Sequence, residues 1–560
     1  GERTRAGPFH GSSDALSIAE LTGKVRPLLV LTATAAEAQR LNAEIPYFAP
    51  ELKVCVLPDW ETLPYDHFSP HHDLVSERLA TLYRMMNGDF DVALVPVTTA
   101  LARLMPADYL ASNTFFFKQG GKLSPDVLRR QLTIAGYTHV TQVIAPGEYS
   151  FRGGLIDLFP MGSALPYRID LFDNEIDSIR SFDVDSQRSI YKVPEVRLLP
   201  AREFPMDEAG QTRFRQNFRE RFEGDPSKSR VYKDVSKGVP TAGIEYYLPV
   251  FFDHTAIISD YLPETTTIIL QAGLNEAIDE FWHDTRGRHN MLKGDLANPV
   301  LPPSALFLAQ DEFFGAIKPY GRIEFAPLSD KPLNPQSSIP NPLPPLAVER
   351  RADNPLRRLQ SFVDTHKGRV LLLAESAGRR ETMAEYLKEY GLTPPLVTSY
   401  ADFETANAKF MLGVGPLLNG FIASSNGLAI ITETELYAAQ ARARTSRDAK
   451  KTSPEGMLRD LSEVKAGDPV VHEQHGIGRY LGLINMDLGD GGTEFLQIAY
   501  ANDAKLYVPV SSLHLISRYS GAAPDQAPLH TLGSEQWEKA KKKAAQQVRD
   551  TAAELLNIYA

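Results

Sequence analysis

The sequence predicts a multidomain chain of mixed α/β and β class, and three observations carry that reading. Between residues 28 and 95, and again from Phe204, short apolar runs alternate with helical patterns, which is how a parallel sheet covered by helices is written. Between Tyr149 and Arg188, alternating apolar runs flank a Pro/Gly turn and then an acidic turn, the pattern of a small antiparallel meander. From Gly467 to about Arg518 the chain is β-rich, with glycines at 476, 478, 482, 489, 491 and 492 supplying turns and bulges, so a small and strongly bent barrel is expected. A chain of 560 residues is also too long for one core.

The elements follow in order. Leu28 to Leu31 is a buried-strand run, Ala35 to about Ile45 is helical, and Leu52 to Leu57 is the next strand. Cys55 lies in the apolar triplet Val54-Cys55-Val56 and reads as buried; a single cysteine excludes an internal disulfide and suits a reducing cytoplasm. His71 to Met85 is helical and Asp91 to Val95 is a strand. Ser124 and Pro125 are an N-cap and a first-turn proline, opening a helix to Ala135. The meander begins at about Val140. Within it, Arg168-Ile169-Asp170-Leu171-Phe172 puts Ile169 and Leu171 on one face and Arg168, Asp170 and Phe172 on the other. Two readings of Phe172 stay open. Either the sheet is covered on both faces and Phe172 is core, or an aromatic set between charges anchors an interface. From Phe204 helices and strands return, with a clear strand at Thr266 to Leu270, so the β module interrupts a discontinuous α/β layer.

Pro332, Pro335, Pro340, Pro342, Pro344 and Pro345 mark a semi-extended spacer. A second, small α/β domain follows: a strand at Arg369 to Ala374, a helix from Glu375 to Tyr390 closed by Gly391, and strands at Phe410 to Val414 and Leu428 to Thr432. The basic run Arg442, Arg444, Arg447, Lys450 and Lys451 reads as a solvated linker. The barrel strands are Pro469 to His472, Arg479 to Asn485, Glu494 to Tyr500 and Lys505 to Val510, and a barrel of the Tudor-like kind fits them. Leu481 to Leu488 carries apolar residues on both faces. It is either an edge that invites another chain or a strand buried in the barrel. Ser534 to Tyr559 reads as one long amphipathic helix.

Chemistry is thin. A nucleotide-driven motor needs a glycine-rich phosphate loop ending in Lys-Ser/Thr, and neither Thr22-Gly23-Lys24-Val25 nor Gly120-Gly121-Lys122-Leu123 qualifies. Asp207-Glu208-Ala209-Gly210 resembles an acidic helicase box but follows no buried strand, and reads as a surface turn. His67, His71, His72 and Asp73 cluster in sequence without a second ligand group, so no metal site is expected. His472-Glu473-Gln474-His475 has the wrong histidine spacing for a zinc protease, and Gly476 and Gly478 break the helix it would need. No catalytic residues are expected. The net charge of −11 argues against the phosphate backbone of nucleic acid as the main partner of this region. No apolar run is long enough to span a bilayer, and the charged start Gly1 to Arg5 is no signal peptide. A start without Met and an end inside a helical pattern suggest a piece of a longer polypeptide.

The stretch RGGLIDLFP, Arg152 to Pro160, followed by YRIDLFDNEIDSIRSFD, Tyr167 to Asp183, resembles the UvrA-binding module shared by the excision-repair protein UvrB and the transcription-repair coupling factor (Mfd) family. Asp59 to Tyr65 and Ala242 to Tyr247 extend the likeness on both sides. VVHEQHGIGRY (Val470 to Tyr480) and Tyr500 to Tyr519 look like the RNA-polymerase-interacting domain of the coupling factors, which UvrB lacks. The resemblance implies a UvrB-like α/β layer over 1–114 and 200–330, an inserted UvrA-binding module over 115–199 and a Pro-rich linker over 331–345. After these would come a small spacer domain over 346–440, a basic linker over 441–457, a polymerase-interacting barrel over 458–532 and a helix from 533 leading to a motor that the sequence lacks. Carried over residue by residue, UvrA would meet Arg152, Arg168 and Phe172, and the polymerase β subunit would meet Met486 and Ile484. ATP and magnesium would belong to the missing motor, as would most contact with double-stranded DNA; a monomer in the bacterial cytoplasm is implied. The alternatives are a UvrB-like helicase subunit, set back by the missing phosphate loop, and a transcription regulator that uses only its barrel.

Overall fold

The computed structural model describes residues 1–67, 69–328, 342–423, 427–437, 464–487, 492–519, 527–532, 536–537 and 539–540. Residues 331–341 of the expected Pro-rich linker over 331–345, the basic linker and nearly all of the expected C-terminal helix lie outside the described residues. The chain divides into two compact units, Gly1–Leu436 and Tyr437–Ala560.

In the first unit a six-stranded parallel sheet runs in the order Arg3–Ala6, Gly321–Phe325, Thr267–Leu270, Leu28–Thr32, Val92–Pro96, Val54–Val56. Strands from both sides of the inserted segment therefore share one sheet. Leu28–Thr32 and Val92–Pro96 are buried along their whole length, as central parallel strands covered on both faces must be. Thr34 caps the helix Ala35–Phe48 by accepting from the Glu37 N–H. Asp207 does the same for Glu208–Arg221 by accepting from the Gly210 N–H at 2.9 Å. The Asp207–Gly210 segment is thus a helix start and not the surface turn expected. The acidic residue preceded the helix as a cap, which the motif reading overlooked.

The inserted segment leaves and returns through one two-stranded ribbon, Phe115–Lys118 against Glu195–Leu198, antiparallel with Phe115 opposite Leu198. Its six-stranded sheet has the order Ser189–Lys192, Glu175–Phe182, Tyr167–Phe172, Leu155–Leu158, Glu148–Arg152, Thr138–His139; only the last pair is parallel. One knot of long-range contacts ties the return of the chain to the α/β layer. Glu203 accepts from Trp60 Nε1 at 2.8 Å and pairs with Arg78 at 3.1 Å, and the Arg78 guanidinium lies 4.9 Å from the Trp60 ring centre. Arg78 is fully buried, so removing Glu203 would strand its charge, at a cost of about 3–5 kcal/mol. The two outlying motifs meet beside this knot: Trp60 packs edge-on against Tyr246 at 5.6 Å, and the Tyr246 hydroxyl bonds Thr62 at 2.6 Å.

The second α/β element has its own sheet, ordered Phe410–Val414, Val370–Ala374, Ala429–Thr432, Phe421–Ile422, parallel except for the last pair. It does not stand apart. Leu16 belongs to its apolar core, Tyr47 and Phe48 pack on that core, and Phe48 meets Tyr400 edge-on at 5.0 Å. Glu44, on the helix Ala35–Phe48, accepts from Ser12 Oγ at 2.9 Å, Arg40 at 2.7 Å and the Leu418 N–H at 2.8 Å. Burial raises its pKa, and Arg40 opposes the shift. At Gly11, whose φ is +55°, a Cβ would stand 2.2 Å from the Gly420 carbonyl oxygen, so the two backbones meet only because no side chain is there.

The second unit holds a five-stranded antiparallel sheet in the order Lys505–Pro509, Gly492–Ala499, Gly476–Asp487, Pro469–His472, Ile516–Arg518. Among the described residues no pairing joins the two end strands. The sheet curls over a core that includes Val470, Tyr480, Leu496, Ile498, Tyr500 and Ile516.

Candidate functional sites on two antiparallel sheets

Register places the three predicted residues of the inserted module on one face. Arg152 lies opposite Leu155, Leu155 opposite Asp170, and Arg168 and Phe172 flank Asp170 on its own strand at the two-residue spacing that keeps one face. Phe172 is 73% exposed, so it is not a core residue; the core side of that strand is Ile169, fully buried. Arg168 is held from three directions. It donates to both oxygens of Asp157 at 2.7 and 3.0 Å and to the Gln187 carbonyl at 3.2 Å, and it lies 4.7 Å from the centre of the Phe182 ring. The bond to buried Asp157 raises its pKa and keeps it charged. Arg152 is exposed, with one bond to the Thr141 carbonyl at 3.1 Å. The face thus offers a bare aromatic ring beside one fixed and one freer guanidinium.

In the second unit, the strand Gly476–Asp487 changes neighbours along its length. Pro469–His472 pairs with Gly476 to Arg479 only. A register shift between Tyr480 and Gly482 follows, and Gly482 has a φ of +129°, open to glycine and strained for other residues. Beyond the bulge the strand pairs with Gly492–Ala499 on one side and, among the described residues, with no strand on the other. Leu481, Leu483 and Ile484 are 40%, 45% and 36% exposed, which removes them from the core. Met486 pairs with Thr493 in the backbone; its side chain lies outside the described residues.

Three stretches of the chain match family models: residues 115–204 the UvrB interaction domain, residues 362–436 the MFD D3 domain, and residues 464–520 the CarD-like/TRCF RID domain. The transcription-repair-coupling factor of Haemophilus influenzae is 43% identical over 555 residues, 98% of this chain and 48% of that protein. That of Escherichia coli K12 is 42% identical over 565 residues, 100% of this chain and 49% of that protein. That of Bacillus subtilis is 27% identical over 570 residues, 96% and 46%. Over nearly its whole length the chain is thus similar to transcription-repair-coupling factors. It spans about half the length of the curated relatives it matches.

The turn between Leu28–Thr32 and the next helix, where an α/β layer commonly holds phosphate, has no glycine. The Thr34 hydroxyl caps the helix Ala35–Phe48, and Arg40, one turn and a half further along, is bound by Asp14 and Glu37 as well as Glu44. Glu37 is the acidic residue of the first turn, where it satisfies the helix dipole and disfavours an incoming phosphate. His71, His72 and Asp73 do come together, with ligand atoms within 4.8 Å, but all three are exposed and the His71 ring caps the helix His72–Met86 by accepting from the Asp73 N–H. His67 is not part of that group.

The sequence reading missed one residue that shapes the first of these sites. Asp157 was not singled out, although it fixes Arg168 from the neighbouring strand. Its only signal was the polar residue between apolar neighbours in Leu155-Ile156-Asp157-Leu158. In the RID domain, His472 is buried beside His475, and burial pushes its pKa down to about 4. In the α/β layer, Glu245 is buried against Ser69, and burial pushes its pKa up to about 7.

Proposed function

We propose that this chain is the adaptor part of a transcription-repair-coupling factor, binding RNA polymerase stalled at a DNA lesion and recruiting UvrA for nucleotide excision repair. The observation that carries the reading is Phe172, a large aromatic left bare on a sheet face between charged residues and beside a preset guanidinium. Such a residue fits the anchor of an interface. UvrA meets Arg152, Arg168 and Phe172. The β subunit of the polymerase adds a strand beside Leu481 to Asp487, with Met486 and then Ile484 as side-chain anchors. The RID sheet is a bent barrel of the Tudor-like kind.

In the full-length protein, ATP-driven translocation on double-stranded DNA displaces the stalled polymerase, with ATP and magnesium held by modules outside this sequence. On this reading the chain itself holds no cofactor and catalyses nothing. It is a cytoplasmic bacterial monomer, and the D3 domain is a scaffold bound to the first layer.

The test is a pull-down of the chain against purified UvrA and the polymerase β subunit separately, with Phe172→Ala and Met486→Arg as variants. Each variant is expected to lose its own partner alone. Binding of neither partner by the unmodified chain would overturn the adaptor. Saturable ATP binding in a nucleotide titration would favour the UvrB-like helicase alternative.

A further inference from the structure

The sheet of the UvrB interaction domain carries one row of side chains that the proposed site does not use in full. Ser150 lies opposite Asp157, Asp157 opposite Arg168, Arg168 opposite Arg180, and Arg180 opposite Lys192. Directly opposed residues share a face, so Arg180 and Lys192 continue the face of Arg168 to the edge of the sheet. The charges along this row are not balanced. Asp157 neutralises Arg168, but Arg180 and Lys192 are exposed and make no ion pair with the described residues. Of the unpaired carboxylates of the face, Glu175 lies opposite Phe172 at the turn and Asp170 lies between Phe172 and Arg168. Neither carboxylate is on the row that runs from Arg168 through Arg180 to Lys192, so the edge strand end of the face is basic.

Like charges directly opposite one another on neighbouring strands destabilise a sheet. The domain carries one such pair at Arg180 and Lys192 without an internal counter-charge, and a bound carboxylate would relieve it. An arginine beside a lysine also suits carboxylates, the first offering a planar fork and the second a movable point charge.

We propose that Arg180 and Lys192 form the second half of the docking face and receive a carboxylate-bearing patch of the same partner that covers Phe172. The inference rests on the UvrA reading above. Phe172 supplies the buried contact, and the basic row supplies orientation and a salt-sensitive association rate.

The experiment measures binding of purified UvrA to the full chain at low and high salt, for the unmodified protein, Arg180→Glu with Lys192→Glu, Arg180→Lys with Lys192→Arg, and Phe172→Ala. The charge reversal is expected to weaken binding about tenfold or more at low salt and to flatten the salt dependence. The charge-conserving pair should keep both. Arg180→Gln should bind UvrA more weakly while melting no lower than the unmodified protein, which a purely structural role for Arg180 would not produce. Unchanged affinity and salt dependence in the reversal, with Phe172→Ala inactive, would overturn the basic row and leave the UvrA site standing. If Phe172→Ala also binds normally, the UvrA reading falls and this inference with it.

Discussion

The face around Phe172 and the strand through Ile484 both belong to antiparallel sheets, yet they offer a partner different atoms. On the first, every strand near Phe172 is paired on both sides, so a partner would meet side chains: an exposed ring, an arginine already held by Asp157, and a row of charges. On the second, the bulge at Leu481 and Gly482 ends one pairing, and among the described residues no strand takes up that side, with half-exposed aliphatic residues beside it. A side-chain face depends on the identity of a few residues. A backbone edge tolerates many sequences and fails when another chain is kept from lying alongside. If the proposed sites hold, the first is selective and the second permissive.

Substitutions at the two ends should separate these modes. The largest effect is expected from Met486→Arg, which sets a charge where the added strand would pack. Binding of the polymerase β subunit should be lost while circular dichroism and UvrA binding stay native; a globally unfolded variant would return that strand to the core. Next comes Phe172→Ala, expected to cost on the order of 2 kcal/mol of UvrA affinity in a calorimetric titration without lowering stability. Arg168→Ala is a poorer test than the alternation of the strand suggests, because it also leaves buried Asp157 without its partner and so mixes binding with folding. Asp157→Asn loosens Arg168 without deleting it and should cost about 1 kcal/mol of UvrA affinity. Equal affinity would show that the preset guanidinium is not used.

The mildest contrast is in pH. His472 has a folded pKa of about 4 against an ordinary 6.5, so the unfolded chain takes up a proton first as pH falls. Its contribution to the RID domain is complete above 6.5 and is lost between 6.5 and 4. Glu245, raised from 4.5 to about 7, works the other way: its contribution is complete below 4.5 and is lost as pH rises towards 7. Calorimetric melting of the chain between pH 7 and 5 should show the RID transition falling relative to that of the first unit. His472→Gln should flatten that fall.

The strands and helices were largely legible because their signals are local. Leu28 to Leu31 reads as a buried strand, and the alternation in Arg168 to Phe172 puts Phe172 on the face away from Ile169. What escaped was pairing between distant residues. The Arg78–Glu203 contact joins positions 125 residues apart, and the bond from Leu418 to Glu44 joins positions 374 apart. No periodicity within either segment reports such partners. The D3 domain therefore read as a separate spacer, although Tyr400 and Leu418 bind it to the first helices. The bulge at Gly482 was foreseen only as one of several glycines; that it ends a strand pairing depends on how short Pro469–His472 is.

The ribbon at Phe115 and Leu198 has a consequence for how such chains are assembled. Its two stems enter and leave side by side, about 5 Å apart as in any paired antiparallel strands, so everything between them is a plug-in cassette. Such a cassette could be excised by splicing across the stems, or grafted onto any sheet edge that presents two adjacent strand ends. Recombination between genes would need only one such doorway to move a recruitment surface from one host protein to another.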